Sequence, residues 1–134
     1  SGAIALPLAE DAEVHVVEVE AAPLAALDAG WRGAPGLKRV STEARDLFRR
    51  PLAPAELARF DGVALDPPRA GAEAQARALA ASAVPRVAML SCDPASFARD
   101  AAILVGGGYR MGPVTVIDQF RWSPHVELAA AFRR

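Results

Sequence analysis

Residues 86–108 read RVAMLSCDPASFARDAAILVGGG. The apolar run 86–90 has the length and content of a buried strand, and 94–104 carries apolar residues at helical spacing. Gly106, Gly107 and Gly108 then stop the helix. Strand, turn and helix in that order make half of a βαβ unit, and the same alternation extends to either side. Upstream, 61–65 reads as a strand halted by Asp66-Pro67-Pro68, because neither proline can donate to a ladder. The Ala-rich stretch 72–82 reads as the helix that follows it. Further back, 14–17 is a strand ending at Glu18, 22–29 a helix, and 37–40 a weaker strand candidate. Downstream, 114–117 and 126–132 are the last two strands. Such alternation predicts an α/β fold with a mostly parallel sheet. The link from Asp118 to Pro124 is too short for a parallel crossover, so the last strand is expected to run antiparallel.

The bulk composition fits one soluble globular domain spanning 1–134. The chain has 134 residues, 52% of them hydrophobic, and a net charge of −1. A single cysteine excludes an internal disulfide and a multi-cysteine metal or iron–sulfur site in this chain, and no metal site is expected. No apolar run approaches the ~20 residues of a membrane span, and no signal-like segment opens the chain, which points to a cytoplasmic protein without membrane contact. Near-zero charge offers no electrostatic sign of nucleic acid, so any RNA-binding role has to be argued from a site.

The opening is unusual. Ser1-Gly2-Ala3 runs directly into the helix-like Ile4–Ala9 with no strand before it, as if a first strand and longer N-terminal regions were missing. An open sheet lacking a central strand exposes edges, so dimerisation or strand exchange is expected.

Ligands of open parallel sheets bind beyond the carboxyl ends of the strands. Asp66 falls at one such end and Cys92 at the next, while an antiparallel last strand returns Glu127 to the same edge. Cys92 precedes a helix N-terminus, whose partial positive charge favours thiolate; Asp93 beside it acts in the opposite sense. A lone cysteine after an apolar strand is also commonly a small buried hydrophobe. The prolines stiffen the loop that carries Asp66, fixing the carboxylate and the backbone at Pro67 beside a bound group. Glu18, at a strand end, stands where nucleotide-binding α/β domains place an acid for ribose hydroxyls, and Asp46 could sit near an adenine. His125 has no second ligand at metal spacing.

Taken together, Asp66-Pro67-Pro68-Arg69-Ala70-Gly71, Ser91-Cys92-Asp93-Pro94 with Arg99-Asp100, and Asp118 through Phe120 to His125-Val126-Glu127 resemble the RNA uracil-5-methyltransferases. The likeness runs from Leu6 to Arg134. It implies a Rossmann-like class I methyltransferase sheet and methyl transfer from S-adenosylmethionine to C5 of a uridine in tRNA or 23S rRNA. Cys92 would add to C6 of the uracil, making C5 nucleophilic, and Glu127 would remove the C5 proton. Asp66 with Pro67 would hold the pyrimidine edge, and Asp66 would also border the cofactor. Glu18 would hold the cofactor ribose, Asp46 would lie near its adenine, and Gly2 would belong to the loop that receives its methionine end.

Three features depart from the family. Asp93 stands where the family usually has Asn. The glycine-rich loop is reduced to Ser1-Gly2-Ala3, which implies weak cofactor binding by this chain alone. The N-terminal RNA-binding barrel and the central region, which often carries an iron–sulfur cysteine cluster, are not represented. A non-catalytic RNA- or protein-binding remnant of the same fold is the rival reading. A nucleotide-binding oxidoreductase is another, but it would want an intact G-x-G-x-x-G and has no use for the Ser-Cys-Asp-Pro turn.

Overall fold

The computed structural model describes residues 2–118 and 126–134. The chain divides into two compact units, Ser1–Arg50 and Pro51–Arg134.

The first unit contains α1 (Gly2–Leu8), β1 (Val14–Glu18), α2 (Ala21–Gly33) and β2 (Val40–Ala44). β1 and β2 pair in parallel, from Val14 opposite Val40 to Glu18 opposite Ala44. A parallel pair needs a crossover, and α2 supplies it. Leu24, Leu27 and Trp31 recur on one face of that helix. Leu27 is buried with Ala5, Ala9 and Val40, and Trp31 packs on the edge of that cluster. The strand expected over 37–40 lies further on, at Val40–Ala44. Residues 37–39 are committed elsewhere: Lys38 N–H donates to the Ala9 carbonyl at 2.7 Å, and Trp31 Nε1 donates to the Lys38 carbonyl at 2.9 Å.

A polar cluster spans the β1–β2 pair. The His15 ring reaches Ser41 Oγ at 2.8 Å through Nδ1 and Glu43 Oε2 at 3.1 Å through Nε2, and Arg45 Nη1 lies 3.3 Å from Glu43 Oε1. The His15 hydrogen bond and then Arg45 hold the Glu43 carboxyl below its ordinary range. A carboxyl whose pKa is depressed on folding stabilises the fold above its unfolded pKa of about 4.3, and that contribution is lost as pH falls through the lower folded value. Unfolding followed from pH 7 to pH 3 should therefore show a steeper acid-side loss of stability for the native protein than for Glu43→Gln. Parallel curves would mean that the cluster is energetically silent.

The second unit contains α3 (Pro54–Leu57), β3 (Val63–Leu65), α4 (Glu73–Ala80), β4 (Arg86–Ser91), α5 (Pro94–Gly106), β5 (Arg110–Met111), β6 (Thr115–Ile117) and β7 (Glu127–Arg133). β3 and β4 are parallel. β7 runs antiparallel to β4 and carries β5 and β6 on its other side, so the last strand has the expected direction. Burial alternates along β4 and β7. Val87, Met89 and Ser91, with Leu128, Ala130 and Phe132, face the layer in which Leu79 of α4 and Phe97, Ala101 and Leu104 of α5 are buried. The two helices come closest where α5 ends: a Cβ on Gly107 would stand 2.5 Å from Ala80 Cβ, so only glycine fits.

The unit's interior polar groups are paired. Buried Gln75 exchanges two hydrogen bonds with the backbone of Leu52, at 2.8 and 3.0 Å. Buried Tyr109 donates to the Val84 carbonyl at 2.6 Å. The Arg134 guanidinium lies 3.7 Å from the Tyr109 ring centroid and donates to the Leu79 and Ala80 carbonyls at the end of α4. Lys, Arg and His near a helix C-terminus satisfy carbonyls that lack an intrahelical partner.

Candidate active site

Within the second unit, the sheet's own register gathers the sequence-predicted residues. The last paired residues of the β4–β7 ladder are Ser91 and Leu128. Cys92 and Glu127 come next at that end of the ladder, Cys92 in the bend after β4 and Glu127 at the start of β7, where it pairs with Ile117. On the neighbouring strand the β3–β4 ladder ends at Leu65 opposite Met89, and Asp66 and Pro67 follow at once. Cys92, Glu127 and Asp66 thus share one sheet edge. Cys92 and Glu127 are half-buried, whereas Asp66 is exposed. That edge therefore carries one thiol and two carboxylates.

The turn around Cys92 is closed by short-range bonds. The buried Ser91 hydroxyl donates to the Asp93 carbonyl at 3.0 Å and accepts from Asp93 N–H at 3.2 Å, spanning Cys92 from both sides. Asp93 is the N-cap of α5: its carboxylate accepts from Ser96 N–H at 2.9 Å. Asp and Asn serve this position about equally well, so Asp93 suits the cap. The Ser96 backbone and hydroxyl, followed by the Arg69 charge, hold the Asp93 carboxyl below its ordinary range.

The loop after β3 is held at its far end by α5. A turn closes with Gly71 N–H donating to the Pro68 carbonyl at 2.8 Å. The Ser96 hydroxyl donates to the Arg69 carbonyl at 2.9 Å, Arg99 Nη2 donates to the Ala70 carbonyl at 2.8 Å, and Asp100 Oδ2 accepts from Ala72 N–H at 2.6 Å. Arg99 also pairs with Asp100 at 2.9 Å, and Asp100 is 1% exposed. Gly71 has φ +79°, and a Cβ there would meet Arg99 Nη2 and Asp100 Oδ2 at 2.6 Å. Arg99 and Asp100 stood in the sequence pattern without a role. Their side chains meet backbone 28–29 residues away, a contact that no local spacing announces.

In the first unit, Glu18 ends β1 and Asp46 follows β2, at the carboxyl ends of two parallel strands. Glu18 Oε1 accepts from Val19 N–H at 2.8 Å. Asp46 Oδ1 accepts from Phe48 N–H at 2.9 Å, and Asp46 Oδ2 lies 3.6 Å from Arg49. Gly2 opens α1, with nothing within 4 Å of where a Cβ would stand. His125 and Phe120 lie outside the described residues. Among the described residues, no group of three His, Cys, Asp or Glu side chains is placed to hold a metal, and no helix is long and apolar enough to cross a membrane.

Comparison with known proteins identifies the family and the fold. The family model for tRNA (uracil-5-)-methyltransferase matches residues 33–134. An uncharacterized RNA methyltransferase of Mesorhizobium japonicum is 59% identical over 129 residues, covering 96% of this chain and 31% of that protein. The 23S rRNA (uracil(1939)-C(5))-methyltransferase RlmD of Hahella chejuensis is 39% identical over 141 residues, covering 99% of this chain and 31% of its own length. The chain spans about a third of the length of the curated relatives it matches. Among solved structures, the Pyrococcus abyssi tRNA (uracil-54, C5)-methyltransferase in complex with S-adenosyl-L-homocysteine superposes with a TM-score of 0.75 at 26% identity, covering 95% of this chain and 30% of that one. Magnesium protoporphyrin IX methyltransferase from Synechocystis shares the fold, with a TM-score of 0.69 at 16% identity, covering 99% of this chain and 69% of its own. With more than half of its residues matched by that family model, the chain belongs to the tRNA (uracil-5-)-methyltransferase family.

Proposed function

We propose that this chain provides the catalytic surface of an S-adenosylmethionine-dependent RNA (uracil-5-)-methyltransferase, acting on a uridine of tRNA or rRNA through a covalent adduct on Cys92. The observation that supports this reading is the β4–β7 ladder, which ends at Ser91 opposite Leu128 and so leaves Cys92 and Glu127 at the sheet end where Asp66 follows β3.

The cofactor fits the carboxylates of the first unit. Glu18 and Asp46 stand at the carboxyl edge of a parallel strand pair, where nucleotides bind such sheets, and Glu18 keeps its second carboxylate oxygen for ribose hydroxyls. S-adenosylmethionine, when bound, supplies an electrophilic methyl group.

The chain's own residues do the rest. Uracil C5 is a poor nucleophile. The Cys92 thiolate adds to C6, forming an S–C6 bond and pushing the C5=C6 pair toward the C4 carbonyl oxygen, so that C5 becomes enolate-like and can accept the methyl. Glu127 then takes the C5 proton. The C–H electrons rebuild C5=C6, the S–C6 bond breaks, and the thiolate returns. Asp66 accepts a hydrogen bond from the pyrimidine edge, while Pro67 keeps its backbone from turning away. Since C6 is out of reach in a stacked helix, the target base is flipped out to meet the thiol.

RNA carrying 5-fluorouridine tests the scheme, because fluorine at C5 cannot leave as a proton does. The full-length protein, given this RNA and S-adenosylmethionine, should form a covalent complex that survives a denaturing gel and is absent in Cys92→Ala. If RNA and cofactor both bind and no complex forms, the thiol is structural and the chain is a binding remnant of the fold.

A further inference from the structure

We propose that Ser96, Arg99 and Asp100 are positioning residues for the uracil site: they clamp the loop 66–72 onto α5 so that Asp66 is held in fixed relation to Cys92. This rests on the reading of the site given above, and it assigns a task to side chains that touch none of the reacting atoms.

The Asp66 carboxylate is exposed, and no hydrogen bond ties it to another described residue. Its position is therefore set by its backbone. One end of the loop is anchored by the β3–β4 ladder, which stops at Leu65. Pro67 and Pro68 fix their own φ angles, but they do not prevent the whole segment from swinging about Leu65. The second anchor comes from α5. Ser96, Arg99 and Asp100 lie on one face of its first two turns and bond in sequence to the carbonyls of Arg69 and Ala70 and the N–H of Ala72.

That helix starts at the Asp93 cap, one residue after Cys92, and Ser96 serves both structures. Its N–H donates to the Asp93 carboxylate and its hydroxyl to the Arg69 carbonyl. The thiol turn and the carboxylate loop are thereby parts of one hydrogen-bonded body. Asp100 is the buried centre of the clamp, with one oxygen on Ala72 N–H and the other on the Arg99 guanidinium fork. Gly71 is the condition for it: the left-handed backbone there lets the loop lie against Asp100 with no room for a side chain. Near-attack geometry is unforgiving, and a displacement of about 1 Å far from the chemistry can cost on the order of a hundredfold in rate.

The test uses Ser96→Ala and Arg99→Lys in the full-length protein. Both keep the Ser96 N–H that caps α5 on Asp93; Ser96→Ala also removes the hydroxyl's own bond at Asp93, which Arg99→Lys leaves in place, and both spare buried Asp100, whose replacement endangers folding. Adduct formation on 5-fluorouridine RNA is measured at saturating RNA and cofactor, beside the thermal midpoint and the KM for S-adenosylmethionine. The expected result is adduct formation slowed about 10- to 100-fold, with cofactor KM unchanged and the midpoint within a few degrees of the parent. A merely structural role would lower the midpoint while leaving the rate per folded molecule intact. Variant rates within about threefold of a reactive parent would overturn the positioning role alone. A parent that forms no adduct would overturn the site reading, and this proposal with it.

Discussion

Glu127→Gln is expected to leave the first half of the reaction intact and to block the second. Glutamine keeps the size and hydrogen-bonding reach of the side chain, and the β7 backbone pairing of Glu127 with Ile117 does not depend on the carboxylate. Cys92 can still add to C6, and C5 can still be methylated. The amide cannot take the C5 proton, so C5=C6 is not rebuilt and the S–C6 bond persists. Ordinary uridine RNA should then give a covalent band on a denaturing gel, with the methyl group in the trapped species. Turnover should fall by about 10²–10⁴, the usual contribution of a positioned general base. Turnover within tenfold of the parent, with no trapped species, would remove Glu127 from the role of base and leave the facing of β4 and β7 without chemical meaning.

Much of this site was legible because it depends on strand ends. The 86–90 run and the helix after it have periodicities that survive folding, and β4 and α5 lie within two residues of their expected limits. The direction of β7 followed from a link too short to cross over, and that direction alone returns Glu127 to the edge of Cys92. What escaped was short, polar or distant. β2 places Ser41 and Glu43 at half-buried positions, where they answer His15, so its hydrophobic signal is too weak to outrank Leu37. α3 has four residues and β5 two, below the length at which any period shows. Asp93 read only as a charge beside the thiol, and its part as the cap of α5 shows only in the folded chain. The clamp was hidden most deeply, since it joins side chains of one helix to backbone groups nearly thirty residues earlier.

Phe132→Ala should be the most damaging single truncation in the second unit, at about 3–5 kcal/mol, the usual cost of emptying a buried phenylalanine site. Phe132 is fully buried on β7, opposite Val87 in one ladder and Met111 in the other. It therefore packs at the strand that β4, β5 and β6 all share, and its ring belongs to the same cluster as Leu79, Leu104 and Tyr109. Neighbours anchored by two ladders cannot collapse far into the space left behind, so the cavity term should stay near the upper end. Set against a total domain stability of about 5–15 kcal/mol, the loss is large. Denaturant unfolding measures it, and Val116→Ala on exposed β6 is the control, expected to change stability by less than about 0.5 kcal/mol. A cost below about 1 kcal/mol for Phe132→Ala would mean that β7 is held by its hydrogen bonds and not by its packed face. The same strand begins at Glu127, so its packing and the chemistry are joined. If the ring only supports the sheet, adduct formation by Phe132→Ala should track the folded fraction as denaturant rises, with no loss in the molecules that remain folded.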